Sequence, residues 1–280
     1  MESSLSGQIG KKHTNTSMNT TLIHGDCVEE MTKMQEESID LTVTSPPYDN
    51  LRTYEGSLQW HEGIWKQVIE GLYRVTKKGG VVVWIVGDAT IKGSETGTSF
   101  KQALYAKEIG FNLHDTMIYA KNSYMPLTHN RYEQAFEYCF CFSKGRPSSW
   151  NPIMVDCITS GTKRNRSGSK ADEPTYAERR RAERTTVNSK KQAPNIFYYN
   201  VGKNERSLHN APFPEQLAHD HIISWSNKGD TVFDPFLGSG TTGKMAKQLD
   251  RNFIGIEKVE KYFDIANERL KTIQPELIHT

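Results

Sequence analysis

Along the chain, short runs of apolar and β-branched residues alternate with stretches in which apolar positions recur every three to four residues. The runs Thr21–His24, Ile39–Thr44, Gly80–Gly87, Leu113–Lys121, Glu133–Phe142, Thr231–Asp234 and Asn252–Glu257 predict strands. The stretches Val28–Gln35, Ile64–Thr76, Ser99–Ile109, Phe213–Ser226, Thr241–Leu249 and Lys258–Ile273 predict helices. Strand and helix in alternation specify an α/β fold, a mostly parallel seven-stranded sheet with helices on its faces.

The alternation breaks between Lys144 and Arg206, where charged, Gly, Pro, Ser and Asn residues crowd out apolar ones. That stretch reads as an insertion, not as more core. It divides the chain into a polar tail at 1–20, a first half at 21–143, the insertion at 144–206 and a second half at 207–280. Inside the insertion, Asp172–Arg184 has the pattern of a charged helix, and the aromatic Asn195–Asn200 segment is an anchor to the core.

At 280 residues the chain is long enough to bury a large core without cross-links. Its four cysteines, Cys27, Cys139, Cys141 and Cys157, lack the paired spacing of a metal site and read as reduced thiols. Met1–Thr20 holds no apolar stretch able to act as a signal peptide or span, so the expectation is a cytoplasmic protein with a loose N-terminal tail and no membrane partner. The net charge of +2 is uninformative as a total. From Gly161 to Arg206, however, twelve Lys and Arg face five Asp and Glu, a local +7 that leaves −5 on the rest. A basic segment on an otherwise acidic chain suits a polyanion, although charged surface also serves solubility alone.

Two segments carry chemistry. Asp234-Pro235-Phe236-Leu237-Gly238-Ser239-Gly240-Thr241-Thr242 lies where a strand turns into a helix. Gly238 and Gly240 let the backbone approach a ligand, and the helix behind them offers free N–H groups. Such a turn by itself also serves merely to pack a helix on a strand. Glu257, at the end of the following strand and about 20 residues on, stands where an acid grips ribose hydroxyls in dinucleotide-type folds. The spacing is not that of a phosphate-binding loop. The second segment is Leu41-Thr-Val-Thr-Ser45-Pro46-Pro47-Tyr48, a strand stopped by two prolines. Prolines end pairing and leave the carbonyls near Ser45 and Pro46 exposed at the strand's carboxyl end. Rigid acceptors followed by an aromatic ring suit a flat heterocycle bearing an amino group.

Ser45-Pro46-Pro47-Tyr48 resembles the catalytic motif of the amino-group DNA methyltransferases, and Asp234 to Gly240 resembles their S-adenosylmethionine motif. The catalytic segment precedes the cofactor segment with the basic insertion between them, an order similar to the β class of that family and circularly permuted relative to a Rossmann-like methyltransferase. The resemblance spans Leu22 to Leu270. It implies a Rossmann-like fold with a catalytic half, an inserted target-recognition region and a cofactor-binding half, S-adenosyl-L-methionine as cofactor, and double-stranded DNA as substrate. Residue by residue, it implies that Ser45, Pro46, Pro47 and Tyr48 are catalytic, and that Asp234, Pro235, Phe236, Gly238, Ser239, Gly240, Thr241 and Glu257 bind the cofactor. His24-Gly-Asp26-Cys27 resembles an early segment whose acid contacts the cofactor, which gives Asp26 that role. Asn210-Ala-Pro-Phe213-Pro-Glu215 resembles the segment over the methionine end, implicating Phe213 and Glu215. Asn130-Arg131-Tyr132-Glu133 resembles a segment beside the target-base pocket, although Arg and Tyr at a strand start are often structural. In the insertion, Lys163, Arg164, Arg166, Arg179, Arg180 and Arg181 are DNA-binding candidates; the last three have Glu178 and Glu183 as alternative partners.

Within that family a Ser at the first catalytic position usually accompanies cytosine and Asp or Asn accompanies adenine. Ser45 therefore implies methylation at cytosine N4, with adenine N6 the alternative. Carbon-5 methylation needs a thiol nucleophile, and the chain has no Pro-Cys dipeptide. The resemblance also implies a prokaryotic or phage origin, and it leaves a cognate restriction endonuclease and a homodimer as partners to be considered. Two rival readings are a nucleic-acid-binding module that has kept the fold without catalysis and a methyltransferase acting on RNA, a protein or a small molecule.

Overall fold

A computed structural model describes residues 18–47, 60–122, 130–165, 184–186, 188–200 and 213–273. Its main sheet is built from β1 (Thr20–His24), β2 (Ile39–Thr44), β3 (Thr76–Val86), β6 (Asn112–Lys121), β7 (Phe136–Ser143), β12 (Ile196–Tyr199), β13 (Thr231–Asp234) and β14 (Asn252–Glu257). The spatial order is β1-β14-β13-β2-β3-β7-β6-β12. β7 alone among these runs antiparallel to its neighbours, β3 and β6, and every other pair is parallel.

All seven expected strands are present, and the sheet holds an eighth. The segment expected only to anchor the insertion is β12, paired in parallel with β6 from Ile196↔Ile118 to Tyr199↔Lys121. Four residues are too few for periodicity to separate a strand from an aromatic loop, and the pairing partner lies far away in sequence. A short hairpin, β4 (Thr90–Ile91) with β5 (Ser94–Glu95), follows β3. The insertion's described parts form two small ribbons. β8 (Met154–Asp156) pairs with β11 (Lys190–Gln192), and β9 (Lys163–Asn165) pairs with β10 (Arg184–Thr186). Arg184, expected to end a helix, therefore begins a strand; residues 172–183 of that expected helix lie outside the described residues.

Among the described residues the helices are α1 (Cys27–Lys33), α2 (Glu62–Val75), α3 (Thr98–Glu108), α4 (Glu215–Trp225), α5 (Thr241–Gln248) and α6 (Glu260–Lys271). They divide evenly over the two faces because strand side chains alternate. Along β3, Val82, Trp84 and Val86 pack with α1, α2 and α3 through Met31, Leu72 and Ala103. Val81, Val83 and Ile85 pack on the other face with α4, α5 and α6 through Leu217, Ala246 and Leu270. Being covered on both faces, the central strands read as continuous apolar runs.

The strand order reverses between β2 and β13. From β2 the chain crosses through α2 to β3 on one side, and from β13 it crosses through α5 to β14 on the other. Ligands in open α/β sheets bind at such a switch, outside the carboxyl ends of the strands.

Candidate active site

At that switch lies a cavity of about 280 Å³, walled by the carboxyl ends of four parallel strands. Behind β1 come Gly25 and Asp26, behind β2 comes Pro47, behind β13 come Pro235 and Phe236, and β14 ends in Glu257 itself. Trp60, His61 and Ile64 close the side at the start of α2. Of the residues expected at the cofactor site, the structure thus brings Asp26, Pro235, Phe236 and Glu257 to one cavity and adds Pro47 from the catalytic segment.

Glu257 is buried, and both of its oxygens are engaged by backbone: Oε2 accepts from Gly238 N at 2.8 Å and Oε1 from Val259 N at 2.9 Å. Burial raises its pKa, opposed by these donors. Each carboxylate oxygen has a second lone pair, so the group retains acceptor capacity toward the cavity. Asp26 caps α1, its Oδ1 accepting from Val28 N at 2.9 Å, and Lys258 Nζ donates to Oδ2 at 3.1 Å. Burial pulls the Asp26 pKa upward, but Lys258 and the Val28 N–H outweigh it and hold the carboxyl below its ordinary value.

Asp234 stands elsewhere. It is 1% exposed and is not part of the cavity wall. Its Oδ1 accepts from Thr44 Oγ1 at 2.7 Å and Phe236 N at 3.0 Å, and its Oδ2 accepts from Thr242 Oγ1 at 2.7 Å. The carboxylate thereby ties the end of β2, the turn after β13 and the first turn of α5 into one knot beneath the site. Burial pushes its pKa up to about 6 despite those donors. The sequence placed Asp234 among residues that contact cofactor; in the structure its side chain positions the two segments that do line the cavity.

Gly238 and Gly240 adopt φ of +53° and +82°, and Gly240 is the N-cap of α5. A Cβ on Gly240 would lie 3.2 Å from that of Ala266, so the turn requires glycine for conformation as well as space. Ser239 and Thr241 are buried behind the turn. Arg269 of α6 donates to Ser239 O at 2.9 Å and to Glu215 Oε1 at 2.6 Å, and Lys244 binds both Glu215 oxygens at 2.6 and 2.7 Å. Glu215 is therefore held by two cations that tie the start of α4 to the glycine turn, while Phe213 packs half-buried on the core.

Ser45 and Pro46 continue β2 toward the cavity, Ser45 half-buried and Pro46 buried. Tyr48, Arg166, Arg179, Arg180 and Arg181 lie outside the described residues. Lys163 and Arg164 lie on the β9–β10 ribbon. Tyr132 is fully exposed at 101%, whereas the Arg131 guanidinium donates to Gly93 O and lies 3.6 Å from Glu95. Sequence reasoning missed Trp60, His61 and Lys258. His61 N-caps α2, its Nδ1 accepting from Gly63 N at 3.2 Å, and histidine is a rare enough cap that the pattern gave no warning. Lys258 had one available signal, its adjacency to the strand-ending acid.

The cavity suits a molecule with a flat ring and a diol. Trp60, Ile64, Val28 and Phe236 offer apolar wall, with the Trp60 and Phe236 rings edge-on at 5.5 Å, and Glu257 offers acceptors beside a glycine turn. S-adenosylmethionine has those parts. No group of His, Cys, Asp and Glu with metal-binding geometry occurs among the described residues.

Residues 39–268 match the family model of the N6/N4 DNA methylases. The orphan methyltransferase M.BamHII of Bacillus amyloliquefaciens is 50% identical over 250 residues, covering 84% of this chain and 89% of that one. Among solved structures, the PvuII DNA methyltransferase, described as cytosine-N4-specific, superposes with a TM-score of 0.66 at 24% identity, over 94% of this chain and 96% of that one. A putative DNA modification methylase from Thermus thermophilus, solved with S-adenosyl-L-methionine, gives 0.59 at 22% identity over 93% and 100%. Those two share the fold. With four-fifths of its length matched by the family model and 50% identity to a relative over 84% of the chain, the chain belongs to the N6/N4 DNA methylase family and is an S-adenosylmethionine-dependent DNA methyltransferase.

Proposed function

We propose that the protein methylates the N4 amino group of cytosine within a specific DNA sequence, presented as a flipped-out nucleotide. The observation that carries this reading is the arrival of Ser45-Pro46-Pro47 at the cavity that also holds Asp26 and Glu257: Pro47 is part of its wall. A strand end with rigid acceptors is thereby set against a cofactor-shaped space.

S-adenosylmethionine supplies a methyl group already activated by its sulfonium. The protein's task lies with the acceptor, because the lone pair of an aromatic amine is delocalised into the ring. The Ser45 side chain and the Pro46 carbonyl accept the amino hydrogens and favour the pyramidal, nucleophilic nitrogen. The prolines fix those acceptors, so rate comes from positioning and electrostatics rather than from a covalent enzyme intermediate. Glu257 takes ribose hydroxyls on its remaining lone pairs, Gly238 and Gly240 bring backbone to the cofactor, and Asp26 fixes the start of α1 at the same wall. Tyr48 stacks on the extruded base, and base–aromatic stacking is worth about 1–3 kcal/mol. Lys163, Arg164, Arg166 and Arg179–Arg181 in the basic insertion meet phosphates of the duplex, so binding falls steeply with salt.

Ser45 is the feature that favours cytosine over adenine. The test is to incubate the purified protein with cofactor and mixed-sequence duplex DNA, digest to nucleosides and identify the product by mass spectrometry. N4-methylcytosine is expected. N6-methyladenine keeps the mechanism and overturns the base; no methylated nucleoside overturns the reading.

A further inference from the structure

Next to β2 in the sheet, β3 runs parallel in a register that pairs Thr44 with Trp84, so Ile85 and Val86 extend alongside Ser45 and Pro46. The chain then passes Gly87 and Asp88 into the β4–β5 hairpin, with Lys92 and Gly93 as a two-residue turn. Lys92 has φ +48° and Gly93 φ +82°, the pair of positive angles that a type I′ turn demands. Asn or Gly is the usual residue at the first of those positions. The chain keeps a lysine there against its conformational preference.

The hairpin is rigidly braced. At its base the buried Asp88 accepts from Ser99 N at 2.9 Å, from Ser99 Oγ and from Thr96 Oγ1 at 3.2 Å, and Thr96 N donates to Ala89 O at 2.9 Å. At its tip Arg131 donates to Gly93 O and approaches Glu95. Yet Ile91, beside the turn, is 56% exposed, and Lys92 is exposed as well. A stiff protrusion that holds a β-branched apolar side chain in water on the same sheet edge as the catalytic strand end is built to meet something apolar there. Duplex DNA offers one such surface: the faces of the base pairs on either side of an extruded nucleotide. Wedge residues of this chemistry stabilise unstacked steps.

We infer that the β4–β5 hairpin is a DNA wedge, with Ile91 entering the stack beside the extruded nucleotide and Lys92 meeting a neighbouring phosphate. Arg131, expected from the sequence to touch DNA, then acts as the brace of this element. The inference rests on the base-extrusion reading above.

The test uses the full-length protein and two duplexes containing its mapped methylation site. In one the target base is paired normally; in the other it faces an abasic position, which makes extrusion cheaper. Ile91→Ala is expected to lower kcat/KM about tenfold on the paired duplex and to leave the abasic-opposed duplex within about threefold, because the wedge only offsets the cost of opening the pair. Ile91→Leu is expected to restore activity on the paired duplex, with thermal melting unchanged in both variants. An equal loss on both duplexes assigns Ile91 a structural role and overturns the wedge, as does no loss on either. Wild-type protein that binds the abasic-opposed duplex no more tightly than the paired one overturns the extrusion reading itself.

Discussion

Replacing Glu257 by Gln keeps the size of the side chain and removes half of its acceptors. The carboxylate now accepts from Gly238 N and from Val259 N, one on each oxygen. An amide has only one oxygen, so its NH₂ must face one of those N–H groups, and one charge-assisted bond is lost together with the charge offered to ribose. A hydrogen bond to a charged group contributes about 1.5–3 kcal/mol. The lost backbone bond weakens the free and bound proteins alike, whereas the lost charge-assisted bond to the cofactor raises the bound state alone, by about 1.5–3 kcal/mol. That corresponds to roughly 10- to 150-fold in the Kd for S-adenosylmethionine. Isothermal titration of cofactor into the two proteins measures it directly. The pH dependence has a defined sign: hydroxyl donors bind the carboxylate form, and burial raises the Glu257 pKa, so wild-type affinity declines as pH falls through that raised value, whereas the Gln variant lacks this component. A Kd within about threefold of wild type, or the same pH response in both proteins, refutes the assignment of Glu257 to the cofactor.

The Asp234 knot makes a prediction about stability. Its folded pKa of about 6 lies above the reference of 3.8, so the native state binds the proton more tightly than the unfolded state; the penalty is absent below 3.8 and complete above about 6. Chemical denaturation of wild type and Asp234→Asn at about pH 4 and pH 7 is expected to show wild type losing about 2 kcal/mol relative to the variant over that interval, and a relative gain contradicts burial as the dominant influence on this carboxyl. Gly243→Ala would bring a Cβ within 2.6 Å of the Phe253 ring and 2.8 Å of Leu270, overpacking the α5–α6 contact. A loss of about 1–3 kcal/mol in denaturant unfolding is expected. Arg269→Lys cannot hold Ser239 O and Glu215 with the fork of a guanidinium, so the KM for cofactor should rise with kcat nearly unchanged; a fall in kcat at unchanged KM refutes its role in fixing the turn.

The sequence by itself determined the layering and the location of the site. Period-2 and period-3.6 patterns identified seven of the sheet's strands and all six described helices, because burial on both faces of a parallel sheet imposes those periods over long stretches. The glycine turn and the paired prolines marked two strand ends, since positive φ and a missing N–H each interrupt strand pairing. The tertiary structure decided what individual polar side chains do there. Asp234 and Glu257 both end strands next to the glycine turn, yet Thr44, 190 positions away, closes over the first and leaves the second facing the cavity. Lys244 and Arg269 come from two different helices to occupy Glu215, and Trp60 and His61 reach the wall because α2, packed on α1, α3 and β3, starts at the cavity. β12 became a strand through its pairing with β6. Local pattern reflects which face of an element is buried, whereas the partner of a buried polar group is set by contacts between segments remote in sequence, and these exist only once the sheet has assembled.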